Sequence, residues 1–179
     1  MALYLVEFEP GVADRDDLQL TFDNLANLSR QSGGELIELQ VGSDLKRVYA
    51  VVEHGDQSTL SAALRDGGVD AADVAEVRLV GTTLDVVKAT RGNANYLVEW
   101  DFPADLTMDV YLARKKAKAP LYANVPEVQF LRTYVREDMA KCLCFYNAPD
   151  EDAVCRAREA VSTPINRLTR LAGADDGAS

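Results

Sequence analysis

The chain has 179 residues, of which 47% are hydrophobic and 27% charged, and its 19 Lys/Arg against 29 Asp/Glu give a net charge of −10. Such an acidic chain repels phosphate backbones, which argues against general nucleic-acid binding, and no apolar run approaches the ~20 residues of a membrane helix. The N-terminus lacks a basic segment followed by an apolar one, and the odd, clustered Cys142, Cys144 and Cys155 do not suit a disulfide framework, so a cytoplasmic protein is expected.

Leu3 to Glu9 alternates, with Tyr4, Val6 and Phe8 on one face, and Pro10-Gly11 ends this first strand. From Asp14 the period changes: Leu18, Phe22, Leu25 and Leu28 recur at helical spacing, Asp14 caps the start and Gly33-Gly34 closes the helix. Glu35–Val41 and Arg47–Glu53 read as a hairpin around Gly42-Ser43-Asp44. A second helix over Gln57–Arg65 and a strand over Ala75–Val80 complete a βαββαβ unit, the ferredoxin-like order. The same order then recurs. Tyr96–Asp101 is a strand, Leu106–Ala117 a helix, Val128–Val135 and Lys141–Tyr146 a hairpin, Asp150 to about Val161 a helix and Ile165–Leu171 a strand. The expected organisation is a first repeat over 1–81, a linker over 82–95 with a short helix at Leu84–Ala89, a second repeat over 96–173 and a frayed tail over 174–179.

The sequence itself repeats. Leu36–Leu64 lies without a gap on Phe130–Arg158, 94 residues later, and YLVE occurs at Tyr4–Glu7 and at Tyr96–Glu99. The fold class expected is α+β, two tandem ferredoxin-like repeats. Such a sheet covers one face with its helices and leaves the other bare, so the two sheets are expected to pack face to face, as a pseudo-dimer or an α/β barrel.

The alternation assigns residues to that bare face. Tyr4, Val6 and Phe8 face the helices, as do Ile37, Leu39 and Val41 and, in the second repeat, Leu131, Thr133 and Val135. Glu7, Glu38, Gln40, Glu99, Arg132 and Tyr134 are left for the bare side. Glu99, Arg132 and Tyr134 are expected to converge as the catalytic or binding centre, because a carboxylate beside a guanidinium in a part-buried cleft has a perturbed ionisation. Glu7, Glu38 and Gln40 are their counterparts in the first repeat, and with Cys144 and Tyr146 they are the candidate ligand-binding residues. Cys142 and Cys144 share a strand face and stand where the first repeat has Val48 and Ala50, which suits small core residues; a thiolate role needs a cationic neighbour. Arg114, Lys115, Lys116 and Lys118 form a basic cluster on a helix, expected as a solvated face or a dock for an acidic partner. The single histidine, His54, cannot alone make a metal site, and no nucleotide-binding, zinc-protease or serine-hydrolase motif is present.

YLVEWDFP (Tyr96–Pro103), FLRTYVREDMAKCLCFYNAPDEDAV (Phe130–Val154) and TPINRL (Thr163–Leu168) resemble the small bacterial ferredoxin-like domain family of unknown function that includes a nickel-binding protein. The first repeat shares only YLVEFEP and KRVYAVVEHGD with it. The resemblance implies face-to-face sheet pairing and a nickel site that draws on the strand-one carboxylate, matched by Glu7 and Glu99. Family members carry His soon after that carboxylate and again in the last helix. Here those places hold Phe8 or Glu9, Asp101 or Phe102, and a stretch around Ala157.

Three functions are compatible with these features. The first is a small protein binding a small molecule or metal ion between its two sheets. The second is a cofactor-independent α/β-barrel enzyme of monooxygenase or isomerase type, with Glu99 or Glu7 as general base and Tyr134 or Arg132 stabilising charge. The third is an interaction module that pairs with itself as a homodimer or with an acidic partner.

Overall fold

In a computed structural model, which describes residues 1–90 and 93–172, the chain forms a single eight-stranded antiparallel sheet with five α-helices and one 3-10 helix among the described residues. The first half runs β1 (Ala2–Phe8), α1 (Arg15–Gln31), β2 (Glu35–Val41), β3 (Val48–His54), α2 (Gln57–Asp66) and β4 (Ala71–Val80). After α3 (Leu84–Thr90), the second half runs β5 (Tyr96–Asp101), α4 (Met108–Lys118), the 3-10 helix (Ala119–Asn124), β6 (Gln129–Arg136), β7 (Lys141–Asn147), α5 (Glu151–Ala160) and β8 (Arg167–Arg170). The strands lie in the order β2-β3-β1-β4-β6-β7-β5-β8. Each half has the same strand order, its second, third, first and fourth strands side by side, and β4 pairs with β6 to join them. The outer strands β2 and β8 meet at one isolated bridge, Gly42 with Leu171, supported by the Ser43 N–H donating to the Arg170 carbonyl at 2.8 Å.

The helices begin where short polar side chains can satisfy free N–H groups. Asp14, Asp56, Thr107 and Asp150 accept from the N–H of Asp17, Thr59, Val110 and Ala153 respectively. Gly33 ends α1 at φ 97°, a left-handed conformation that only glycine adopts without cost. Both hairpin turns carry a non-glycine residue in that region, Leu45 at φ 60° and Met139 at φ 58°, 94 positions apart.

Three apolar clusters hold the layers together. Tyr4, Val6, Val52, Leu25, Leu60 and Leu64 fill the space between the first half's strands and helices. Val98, Tyr111, Cys144, Tyr146, Val154 and Ala157 belong to the corresponding layer of the second half. The third cluster draws on both halves, with Leu5, Tyr49 and Val51 meeting Leu97, Leu143 and Phe145 on the face the helices leave bare. At ~1.5–3 kcal/mol per fully buried large apolar side chain, this shared face is a major source of cohesion between the halves.

Several boundaries differ from the sequence reading. β4 starts at Ala71 rather than Ala75, because its first residues extend the ladder along the end of β1, Glu7 opposite Asp73 and Phe8 opposite Ala71. β8 is shorter than expected and starts at Arg167; just before it the Asn166 N–H still donates to the Glu99 carbonyl at 2.9 Å, while its side chain accepts from the Asp101 N–H at 2.8 Å. The linker is a packed element: Val87 of α3 is buried in the shared cluster. Ile37 and Leu131 also move. A bulge between Leu36 and Glu38, and its match between Phe130 and Arg132, turns both residues from the helix side to the shared face. The loop expected after Thr90 and the frayed tail over 174–179 lie outside the described residues, the first at 91–92 and the second entirely.

Candidate functional site

Two ionic clusters occupy the face the halves share. The β2 bulge delivers Glu38, 4% exposed, and the β6 bulge delivers Arg132 opposite it. Arg132 Nε donates to Glu38 Oε1 at 2.7 Å and Nη2 to Oε2 at 2.6 Å, a two-pronged pair of the strong kind. The Tyr134 hydroxyl donates to Oε1 and Gln40 Nε2 to Oε2, the latter at 3.1 Å. The second cluster centres on Lys141, whose Nζ lies 2.9 Å from Glu7 Oε1 and 2.7 Å from Glu99 Oε1. Arg47 reaches Glu7 at 3.4 Å, and Arg167 Nε and the Tyr49 hydroxyl reach Glu99 Oε2 at 3.2 and 3.4 Å.

Arg132 and Tyr134 thus come together, with Glu38 and Gln40 as their partners, whereas Glu99 joins Glu7 in the other cluster. Some of these pairs cross the shared interior, Arg132 with Glu38 and Lys141 with Glu7, while Glu99 is held by Lys141 and Arg167 of its own half. Cys144 and Tyr146 lie on the opposite side of the sheet, under the helices. His54 is buried at the end of β3, with Nε2 2.9 Å from the Ser32 carbonyl and Nδ1 accepting from the Asp56 N–H at 2.9 Å. That arrangement fixes a helix junction and leaves neither ring nitrogen for a ligand.

On the helix side of the second half lies a pocket of about 260 Å³ between α4, the 3-10 helix and the segment that follows α5. Trp100, Tyr111 and Tyr122 give it aromatic walls; Val161 and Pro164 add apolar surface. Arg114, Lys115, Lys118 and Arg158 also line it, and among the described residues no carboxylate does. The basic cluster expected as a solvated face is therefore partly the rim of a concave site: Arg114 and Lys116 are exposed, while Lys115 and Lys118 are half-buried. Lys115 Nζ sits 4.1 Å above the Phe130 ring, and Lys118 donates to the Ser162 carbonyl at 3.4 Å.

Arg158 projects from α5 into the layer beneath and is 3% exposed. Its Nη1 donates to Cys144 Sγ at 3.5 Å and to the Tyr146 hydroxyl at 3.2 Å, and its Nη2 to the Pro164 carbonyl at 2.6 Å. Its Nε has no hydrogen-bond partner. Cys144 accepts further from Thr133 at 3.2 Å and lies 3.9 Å from Cys142 Sγ. Hydrogen bonding from Cys142 pulls the Cys144 thiol well below its ordinary pKa against the opposing effect of burial, with Lys115 and Arg158 adding to the pull. Burial, reinforced by Cys144, pushes Tyr122 up to about 12 and raises Tyr146 as well, so both keep their protons at neutral pH. Burial opposes the charge on Arg158, but Cys144 and Tyr146 outweigh it and hold the guanidinium protonated.

Arg158, Trp100, Tyr111 and Tyr122 do not emerge as site residues from alternation alone. One signal was available: Ala153, Val154, Ala157 and Val161 make an apolar helical stripe, and Arg158 falls four residues after Val154 on that stripe, where the repeat has Leu64. A charged residue at a core position is the pattern that marks a site. The pocket's walls come from β5, α4, the 3-10 helix and the segment after α5 together, and no single element's periodicity shows that Trp100, Tyr111 and Tyr122 meet.

Residues 96–171 match the family model described as "Nickel responsive protein SCO4226-like". No curated protein sequence matches the chain. Among solved structures, the provisionally named chlorite dismutase TA0507 aligns over 96% of this chain and 95% of that one, with TM-score 0.53 and 14% identity. A microcompartments protein from Desulfitobacterium hafniense DCB aligns over 95% and 93%, with TM-score 0.36 and 12% identity. A provisionally named monooxygenase, FN1347, from Fusobacterium nucleatum aligns over 94% and 89%, with TM-score 0.41 and 14% identity. At such identities the first likeness concerns the fold, and the other two carry no further weight.

Proposed function

We propose that the protein binds a small molecule, that its two halves are tandem ferredoxin-like units packed through their bare faces in a barrel-like pair, and that the ligand site is the helix-side pocket of the second unit. The matched element order, the matched bulges and the left-handed Leu45 and Met139 support the tandem reading. The observation that carries the binding reading is the composition of the second unit's helix-side layer. Cys142, Cys144, Tyr146 and Arg158 stand there, 94 positions after Val48, Ala50, Val52 and Leu64. Burying polar and charged groups in a core is costly unless they are hydrogen-bonded, and here the apolar set of the first half is replaced by such groups at a pocket that Arg158 itself lines. Its volume falls just below the ~300–1,000 Å³ typical of drug-sized ligands, which points to a ligand of about one or two rings.

In this reading the shared interior is structural. Glu38 and Arg132 satisfy each other, and the oxygens of Glu7 and Glu99 are held by Lys141, Arg47, Arg167 and Tyr49, so the function sits beside the expected centre rather than in it.

Nickel, which the matched family is named for, does not fit the donors present. Among the described residues no three or more His, Cys, Asp or Glu groups converge, the strand-one carboxylates are held by ammonium and guanidinium groups, and His54 is internally bonded. Thermal unfolding with and without a small-molecule mixture tests the proposal. Stabilisation that disappears in Tyr122→Ala supports it, whereas stabilisation that survives that change but is lost with Gln40→Ala returns the site to the shared interior.

A further inference from the structure

We infer that the ligand of this pocket is an organic anion, a carboxylate or similarly charged group on a flat apolar body, whose charged end is received at Arg158 and whose body lies against Trp100, Tyr111 and Tyr122. The inference rests on the binding reading above and adds the ligand's chemical class.

Three observations converge on it. First, the chain carries a net charge of −10, yet among the described residues four cationic side chains and no carboxylate line this one pocket. Chance placement on so acidic a molecule would bring carboxylates to the lining. Second, Arg158 is buried and, among the described residues, no carboxylate pairs with it; its acceptors are a sulfur, a hydroxyl and a carbonyl. A buried guanidinium is ordinarily matched by a carboxylate. Cys144 supplies part of the compensation from behind, and Nε, itself enclosed by protein, is left without a hydrogen-bond partner among the described residues. Third, the remaining lining is mainly aromatic and aliphatic, so a bare inorganic anion would leave most of the wall uncovered. Arg114, Lys115 and Lys118 at the rim raise the local concentration of anions against the repulsion of the rest of the surface.

Trp100 is the chain's single tryptophan and lines the pocket, so its indole N–H resonance reports occupancy without assignment of other signals. The test titrates the full-length protein with 2-naphthoate, its neutral amide 2-naphthamide, 2-naphthylmethylammonium and acetate, following that resonance and the heat of binding. The expected result is that naphthoate shifts the resonance and binds at least ~10-fold more tightly than the amide, that the ammonium compound binds weakest, and that acetate does not compete. Arg158→Gln is expected to bring naphthoate down to the amide's affinity. Because that buried change could disturb folding, the rim variant Arg114→Gln/Lys118→Gln is measured beside it, and it is expected to weaken naphthoate several-fold at low salt while leaving the amide alone. Amide and naphthoate binding equally, or acetate competing equally, would overturn the anionic class while the pocket reading stands. No shift of Trp100 with any naphthalene probe would remove the pocket reading itself.

Discussion

The two helix-side layers are built on one plan and filled differently. In the first half, Val6 pairs with Ala50 and Tyr4 with Val52, and Leu60 and Leu64 of α2 close over them as an apolar core. In the second half, Val98 pairs with Cys144 and Tyr96 with Tyr146, and α5 brings Arg158 where α2 has Leu64. The same backbone thus supports a sealed layer in one half and a polar-floored pocket in the other. Strand pairing and the shared interior hold the backbone in both halves, which frees one helix layer to give up apolar packing.

The strongest way to break this comparison is to remove the interior that both layers depend on. Arg132→Ala is expected to lower stability by ~3–5 kcal/mol in urea unfolding, because it leaves Glu38 buried and uncompensated, while the double variant Glu38→Met/Arg132→Met recovers most of the loss. Recovery matters more than loss, since it separates a desolvated pair from general damage.

Alkaline pH probes both regions at once. Tyr49 in the interior and Tyr122 in the pocket are each pushed up to about 12, chiefly by burial, with Glu99 and Cys144 respectively adding to it. An unfolded tyrosine ionises near 10. The folded state holds the proton more tightly, so this stability is fully present below pH 10 and is lost as pH rises from 10 through 12, by about 2–3 kcal/mol per ring at the end of that window. Tyr122→Phe is expected to flatten part of the loss, read from urea midpoints across that range.

Making the second layer resemble the first sharpens the contrast. Arg158→Leu installs the residue at the matching position and, because it leaves the Pro164 carbonyl without that donor and Cys144 without one of its cations, is expected to cost ~1–2 kcal/mol, while small-molecule binding disappears. A loss of several kcal/mol would mean that Arg158 is there for the fold. The smallest expected effect is spectroscopic: thiolate absorbance near 240 nm in the native protein, present well below the pH of an ordinary cysteine and absent from Cys144→Ser.

Much of the fold is legible in the sequence because it rests on local chemistry. Period-two alternation in Leu3–Glu9, the caps at Asp14 and Asp150 and the hairpin turns all act over a few residues, and each element forms where they place it. The repeat adds the pairing plan. The site is less legible for two physical reasons. A bulge adds one residue to β2 and one to β6, so strict alternation puts Ile37 and Leu131 on the wrong face while still leaving Glu38 and Arg132 on the right one. Charge pairing across the interior is also long-range: Glu38 and Arg132 are 94 residues apart, and nothing local states that Glu99 belongs with Lys141 rather than with Arg132. A thiolate role for Cys144 needs a cationic neighbour, and the cations that act on it are Lys115 of α4 and Arg158 of α5, which alternation along its own strand does not reveal.

The most direct measurement is native mass spectrometry of the protein purified from its own host, run beside Arg158→Leu prepared identically. The expected result is a bound mass of small-molecule size on the unmodified protein, lost on gentle activation and absent from Arg158→Leu. An adduct that persists on Arg158→Leu, or an unmodified protein that is bare under the gentlest conditions, would contradict a ligand site in the second half's helix layer.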